Sequence, residues 1–287
     1  MLKHSNIYKF YLSFNLDKLH LKLVHPKNQK ELLEGQDKPS MLDYPEGFRM
    51  KLEFNGDDLT DYDYLREWRI SKLFETKTTN YVKKFLKEGD SFIDGGANIG
   101  YYSLMASKLV GQKGSVYAFE PTPATFKRLC GNISLNELQN VKPYQMGLGS
   151  DDGELEYFIS NINPVNNSFV KSELNSHPGS NVIKVKIARL DTIFPDGIDN
   201  LSVIKLDVEG YENEVILGAK NLIQKSKPAI IFEFYYPIVV KRYKNHNQIF
   251  DSLKALGYSE FIEVETGNTV SKYSDLSHTY TNVIASR

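Results

Sequence analysis

Beyond Gly89 the chain alternates two apolar rhythms: short continuous runs, and a repeat of three to four residues. The runs "SFIDGG", "GSVYAFEP", "VKPYQMGLG", "LSVIKLDVEG" and "KPAIIFEFYYP" read as strands. Between or after them, "NIGYYSLMASKLV", "TPATFKRLCGNISLNE", "YENEVILGAKNLIQKS" and "HNQIFDSLKALG" read as helices. Their inward positions are Ile99, Met105, Ala106 and Leu109, then Phe126, Leu129 and Ile133, then Val215, Ala219, Leu222 and Ile223. Strands alternating with helices predict an α/β fold on a mostly parallel sheet. "YSEFIEVE" and "YTNVIASR" are placed to close it as an antiparallel pair.

The rhythm is weaker before Gly89. "FRMKLEF" alternates like a strand between the turn signals "YPEG" and "NGDD". "DYDYLREWRISKLFETKTTNYVKKFLKEGD" predicts one or two helices ended by Gly89, with Leu65, Trp68, Leu73, Tyr81, Val82 and Phe85 toward the core. Residues from about 150 to 181, rich in Asn, Ser and Gly, lie between "ELEYFIS" and "VIKVKIARL" and read as a hairpin excursion with a mobile tip. The expected organisation is an N-terminal extension of helical and short-strand character over residues 1–60, serving as a substrate or membrane-surface arm, and one large domain over residues 61–287.

Composition narrows the function classes. A net charge of −1 argues against a general nucleic-acid binder, since phosphate contacts need excess Lys and Arg. The single cysteine, Cys130, leaves no intramolecular disulfide and fits a reducing, cytoplasmic setting. No window reaches the ~18 uncharged apolar residues of a membrane span. The first thirty residues carry six lysines against one acid, Asp17, interleaved with Tyr, Phe and Leu. Without a clean apolar run or a small-residue cleavage site they do not read as a signal peptide. They read as a solvated amphipathic arm, or as one that attaches to an anionic membrane surface or partner.

Candidate chemistry gathers where strands end. "DGGANIG" joins the first regular strand to its helix. A phosphate-cradling loop would need Lys and then Ser or Thr after Gly100, but Tyr101 and Tyr102 follow. A dinucleotide fingerprint starting at Gly95 would put Ala97 where its second glycine belongs, crowding a pyrophosphate. The pattern D-x-G-x-N-x-G over Asp94, Gly96, Asn98 and Gly100 suits S-adenosylmethionine, which has an ammonium and a sulfonium but no phosphate: the acid at the strand end can meet the ammonium, and Gly96 lets the backbone approach the nucleoside. A strained turn without a ligand is the plain alternative. Glu120 ends the next strand, twenty residues beyond Gly100, where an acid can accept hydrogen bonds from both hydroxyls of a ribose. Its plain alternative is an exposed acid before the helix, a place for which Thr122 is already a good cap.

Together, "FIDGGANIGYYSLMA", "VYAFEPTPATFKRL" with "NISLN", "RLDTI" and "IKLDVEGYENEVILGA" resemble the FkbM family of S-adenosylmethionine-dependent methyltransferases, from about Phe74 to Glu233. The resemblance implies a Rossmann-like class I methyltransferase sheet, mostly parallel with an antiparallel C-terminal strand. It implies O-methyl transfer to a hydroxyl of a sugar, glycan, glycolipid or polyketide. It also implies cofactor contacts from Asp94, Gly95, Gly96, Ala97, Asn98, Gly100, Glu120 and Glu75, the last matching a family acid just before the glycine strand. The family usually carries an aliphatic residue where Gly95 stands.

A sugar hydroxyl is a poor nucleophile at neutral pH, so a base or a metal is expected. Lys205, Asp207 and Glu209 alternate and share a face while the strand persists, and Glu233 ends the neighbouring strand. Asp207, Glu209 and Glu233 are the catalytic candidates. By their similarity of position to the acids of catechol-type O-methyltransferases, Asp207 and Glu233 are also candidate Mg²⁺ ligands. Without a metal, Asp207 or Glu209 serves as general base. The plain readings are a Lys205–Asp207 ion pair, a turn residue at Glu209, and helix-terminus acids at Glu212 and Glu214. His177, His246 and His278 read as solvated loop histidines, with His177 able to swing over the site. Two other functions remain open: an RNA ribose methyltransferase, although the fifth strand ends in Glu233 rather than Lys, and a catalytically silent cofactor-binding module.

Overall fold

The computed structural model describes residues 37–54, 60–159, 168–169 and 181–287. Residues 1–36, which include the lysine-rich first thirty, the "NGDD" signal, His177 and most of the excursion tip lie outside the described residues.

The chain enters through a hairpin of β1 (Met41–Tyr44) and β2 (Phe48–Lys51), turned at "YPEG". The helical stretch resolves into α1 (Thr60–Ser71) and α2 (Thr76–Phe85). Helix α2 stops at Leu86; Gly89, at φ +88°, serves the turn into β3 rather than the helix end. Then follow β3 (Ser91–Gly95), α3 (Tyr101–Val110), β4 (Ser115–Phe119), α4 (Pro123–Leu135) and β5 (Val141–Tyr144). The expected strand "VKPYQMGLG" divides, because the chain turns at Met146 and sends β6 (Gly147–Leu148) to a second sheet. There β6 joins β7 (Gly153–Ile159) and β8 (Asn181–Ala188), the antiparallel flanks of the excursion.

After the short α5 (Leu190–Ile193), β9 (Leu201–Leu206) returns to the main sheet. The single helix expected from "YENEVILGAKNLIQKS" is two, α6 (Glu212–Leu217) and α7 (Lys220–Ser226). The break falls at Gly218, which packs so close that a Cβ there would sit 1.9 Å from the Gly149 carbonyl oxygen. β10 (Ala229–Tyr235) runs straight into α8 (Tyr236–Arg242), unforeseen because Pro237 reads as a strand stop, whereas proline fits the first turn of a helix. The chain ends with α9 (Gln248–Ala255), β11 (Glu260–Glu263) and β12 (Tyr280–Ser286).

The main sheet has the order β5-β4-β3-β9-β10-β12-β11. β12 is antiparallel to both of its neighbours, and the other pairings are parallel. The chain builds outward from β3 to β5 and then crosses back to β9, so the topological switch lies between β3 and β9. Alternation along the strands divides the core into two clusters. Phe92, Val203, Ile231 and Ile284 pack with α3, α4 and the N-terminal hairpin. Ile93, Ile204, Ile230 and Phe232 pack with α6, α7 and α9 on the other face. Leu42, Tyr44, Phe48 and Met50 of the hairpin therefore belong to the same core as the sheet.

The "NISLN" stretch explains how the hairpin is held. Asn132 on α4 and Asn136 just past its end stand one turn apart, and their side-chain oxygens accept the amides of Lys51 (2.8 Å) and Arg49 (2.7 Å). Asn132 also donates to the Ile99 carbonyl (2.9 Å), tying β2 to the glycine turn through one buried amide. Replacing Asn132 by Leu leaves an N–H and a C=O without partners. We expect a loss of about 2–6 kcal/mol, since each of the two unmatched groups costs ~1–3 kcal/mol. Chemical denaturation checks this; an unchanged midpoint would show the links to be dispensable. Among the described residues no helix is long and apolar enough to cross a membrane.

Candidate active site

The switch between β3 and β9 opens a cleft at the carboxyl ends of the strands, with Gly96, Ala97, Asn98, Glu120, Lys205, Asp207, Glu209 and Glu233 in its lining. Its floor is the glycine turn. The amides of Gly96 and Ala97 both donate to the Phe119 carbonyl, at 3.0 and 2.9 Å, and Gly100 closes onto Ala97 at 2.9 Å. Asn98 takes a left-handed conformation, φ +49°, and its amide donates to Glu120 (3.2 Å). Glu120 also accepts the amide (2.9 Å) and the hydroxyl of Thr122. Thr122 therefore heads α4 without capping it, because its hydroxyl is committed to Glu120. Burial raises the Glu120 carboxyl above its usual range against the lowering effect of these bonds.

Asp94, Gly95 and Gly100 lie behind the cleft rather than on it, whereas Gly96 lines it. Asp94 is 1% exposed and accepts the Ser103 hydroxyl at 2.6 Å; burial raises its carboxyl. A Cβ on Gly96 would stand 1.8 Å from the Asp207 carbonyl oxygen, and one on Gly100 2.8 Å from Leu129. Gly95 meets Leu206, Leu148 and the Lys205 carbonyl, so a larger residue would press on β9. Close packing of the turn against β9 and α4 thus accounts for Gly96 and Gly100; Gly95 is merely tight, with its nearest atoms at 3.0–3.3 Å.

The opposite wall follows from the two-residue period. Val203 and Lys205 share one face of β9, Ile231 and Glu233 one face of β10, and Asn282 lies opposite Glu233 on β12. Each strand is apolar within the sheet and polar where it reaches the cleft. Lys205 is 1% exposed; its ammonium bonds Asp207 at 2.8 Å and stands 4.5 Å from the centre of the Tyr102 ring. Burial alone would lower this ammonium's pKa, but Asp207, Glu75 and Asp94 raise it on balance. The plain ion-pair reading of Lys205 and Asp207 thus holds in the structure.

Asp207, Glu209 and Glu233 bring carboxylate oxygens within 4.8 Å of one another. Burial and the mutual repulsion of these acids hold Glu209 and Glu233 well above the usual carboxylate range. Glu75, at φ +41° ahead of α2, accepts the Tyr102 hydroxyl at 2.7 Å and borders the same cleft. Burial raises its carboxyl as well, against the lowering effect of Lys205.

Two histidines are elsewhere. His246 packs against Tyr273, ring centres 5.2 Å apart, and His278 pairs with Glu263 at 3.0 Å. Sequence reasoning missed the aromatic wall of Tyr64, Phe74, Tyr102 and Tyr280. Tyr102 could have been found, because it follows directly on the glycine turn. Tyr280 could not, because only the pairing of β12 with β10 brings it beside Glu233.

The sequence profile of the methyltransferase FkbM domain matches residues 94–260, more than half of the chain. The chain belongs to the FkbM methyltransferase family. It is 33% identical over 165 residues to the hexuronic acid methyltransferase AglP of Haloferax volcanii, a match over 57% of this chain and 64% of that protein. It is 31% identical over 146 residues to methyltransferase 1 of Beauveria bassiana, over 45% of this chain and 58% of that protein. These matches thus span less than two thirds of the length of either relative. The crystal structure of an FkbM methyltransferase from Methylobacillus flagellatus aligns with a TM-score of 0.43 at 15% identity, over 79% of this chain and 53% of that one. Both halves of the cleft, the glycine turn from Asp94 and the acids through Glu233, fall inside the FkbM match.

Proposed function

We propose that this chain is an S-adenosylmethionine-dependent O-methyltransferase acting on a hydroxyl of a sugar, glycan, glycolipid or similar metabolite. The observation that carries the reading is the convergence of Asp207, Glu209 and Glu233 at the switch point, beside the glycine turn and Glu120. The relative AglP, a hexuronic acid methyltransferase, supports a sugar acceptor.

The residues fit the cofactor by donor chemistry. The Glu120 carboxylate accepts three bonds from its own chain, and two oxygens offer about four acceptor sites. One site is left for a ribose hydroxyl. S-adenosylmethionine supplies an electrophilic methyl group on a sulfonium. Gly96, Ala97 and Asn98 would form the surface that holds it. Asp207 takes the proton of the acceptor hydroxyl, and Lys205 holds that carboxylate in place at 2.8 Å. Tyr102 and Tyr280 line the cleft with aromatic rings on the acceptor's side. Substituting Glu120 by Ala is expected to weaken cofactor binding roughly 10- to 150-fold, the equivalent of one charge-assisted bond at ~1.5–3 kcal/mol. Calorimetry reads this directly; unchanged affinity would leave Glu120 as a cap for the turn alone.

A second reading adds Mg²⁺. Three hard oxygen donors within 4.8 Å suit such an ion, and Asp207, Glu209 and Glu233 would hold it. It would supply charge stabilisation of the acceptor oxygen. A chelator then abolishes transfer and added Mg²⁺ restores it, whereas chelator-insensitive transfer leaves Asp207 as base. The test of the whole reading is methyl-labelled cofactor offered to the purified chain with neutral sugars, uronic acids, glycolipids and RNA. An alkali-stable labelled ether on a sugar is expected. Label on RNA would overturn the acceptor class, and binding without transfer to any acceptor would make the chain a silent module.

A further inference from the structure

Glu212 opens α6, where an acid reads as a favourable charge at a helix end. Its carboxylate turns backward instead. It is 2% exposed, and Oε1 accepts the amides of Val208 (3.1 Å) and Gly210 (3.2 Å). Those amides flank Glu209. Glu209 stands at φ +54°, a conformation costly for a residue with a side chain, and Gly210 follows at φ +90°. Such a residue persists only where its surroundings over-determine it. Here the Ser168 hydroxyl donates to the Glu209 carbonyl at 2.6 Å, and Gly210 is packed so tightly that a Cβ would fall 2.2 Å from Ile238. Glu212 supplies the remaining restraint, from the amide side.

We propose that Glu212 is a positioning residue whose buried carboxylate gathers the amides of Val208 and Gly210 and so aims Glu209 at Asp207 and Glu233. This rests on the reading of those three acids as the transfer site. A simple helix-end charge would not need burial, nor contacts to the loop on both sides of one strained residue. The geometry also explains why the side chain must be long and must carry an acceptor oxygen. Asp at this position would fall one methylene short of the loop, whereas Gln keeps an oxygen at the same reach.

The test compares Glu212→Ala, Glu212→Asp and Glu212→Gln by two independent measurements. The first is amide hydrogen exchange at Val208 and Gly210. The Ala and Asp variants should exchange there about tenfold faster or more, with β9 and α7 amides unchanged, while Gln keeps most of the protection. The second is kinetics with cofactor affinity measured separately. Ala and Asp should lose about 10- to 100-fold in kcat at unchanged Kd for S-adenosylmethionine, and Gln should recover most of that rate. Glu212→Ala should add little further loss to Glu209→Gln if it acts through Glu209. Unchanged exchange in the Asp variant, a Gln variant as impaired as Ala, or losses that multiply with Glu209→Gln would each overturn the assignment. Should wild type transfer no methyl group to any acceptor, the reading of the site fails, and the exchange measurement still decides the role of Glu212.

Discussion

Asp207→Asn should cut kcat by about 10²–10⁴-fold, the usual contribution of a general base, while cofactor affinity changes little. Asp207 follows β9 directly, and its amide donates to the Gly95 carbonyl at 2.9 Å, so its backbone place is independent of its side chain. Its side chain is 27% exposed, whereas that of Lys205 beside it is 2% exposed. Asn keeps the shape but can neither accept a proton at neutral pH nor neutralise Lys205. Glu75 and Asp94 remain to favour the charged ammonium, so the variant is expected to fold. Loss of Asp207 lowers the pKa of Lys205, because Asp207 is one of the groups that raise it. The loss should appear in kcat rather than in KM, which marks an interaction made in the transition state. An Asn variant that folds, binds cofactor and transfers methyl at the normal rate would reduce Asp207 to a partner for Lys205.

Much of this site was legible because strand ends carry their own signal. An apolar run meeting an acid, as at Asp94, Glu120, Asp207 and Glu233, marks the rim of a parallel sheet before any pairing is known, although β3 runs one residue past Asp94 and β10, expected to end at Glu233, runs two residues past it. The antiparallel closing pair was legible for the same reason, from two short apolar runs at the end of the chain. What escaped depends on contacts across the sequence. Gly218 breaks a helix whose periodicity runs through it, because Gly149, just past β6, presses on it. The "NISLN" asparagines look like a polar helix face until β2 arrives beside them. Glu212 looks like a helix-end acid until the loop before it takes its left-handed turn. Asp94 looks like a ligand for an ammonium group, yet the sheet buries it against Ser103. A sequence places chemistry on elements; which side of the turn faces the ligand is decided by the register of neighbouring strands.

That distinction has its largest test at Gly96. The sequence offers a glycine that lets a nucleoside approach; the structure offers one that lets β3 and β9 meet. A Cβ there would fall 1.8 Å from the carbonyl oxygen of Asp207 and 2.8 Å from its carbonyl carbon, both backbone atoms that cannot swing aside. The residue also stands at φ +84°, where a side chain adds a further ~1–2 kcal/mol. Forcing a methyl into a closed site commonly costs about 1–3 kcal/mol through displaced backbone. Together these amount to ~2–5 kcal/mol. At roughly 2–4 °C per kcal/mol for a domain of this size, Gly96→Ala should lower the melting temperature by about 5–20 °C without any cofactor present. Gly131→Ala is the matched control: it lies within α4 with nothing within 4 Å of the added Cβ, so it should be neutral or stabilising by up to ~1 kcal/mol. Cofactor-free melting equal to wild type, with affinity alone reduced, would return Gly96 to the ligand-approach reading. Because the displaced atoms belong to Asp207, the packing account makes a joint demand: the same substitution must slow methyl transfer even when the cofactor is saturating.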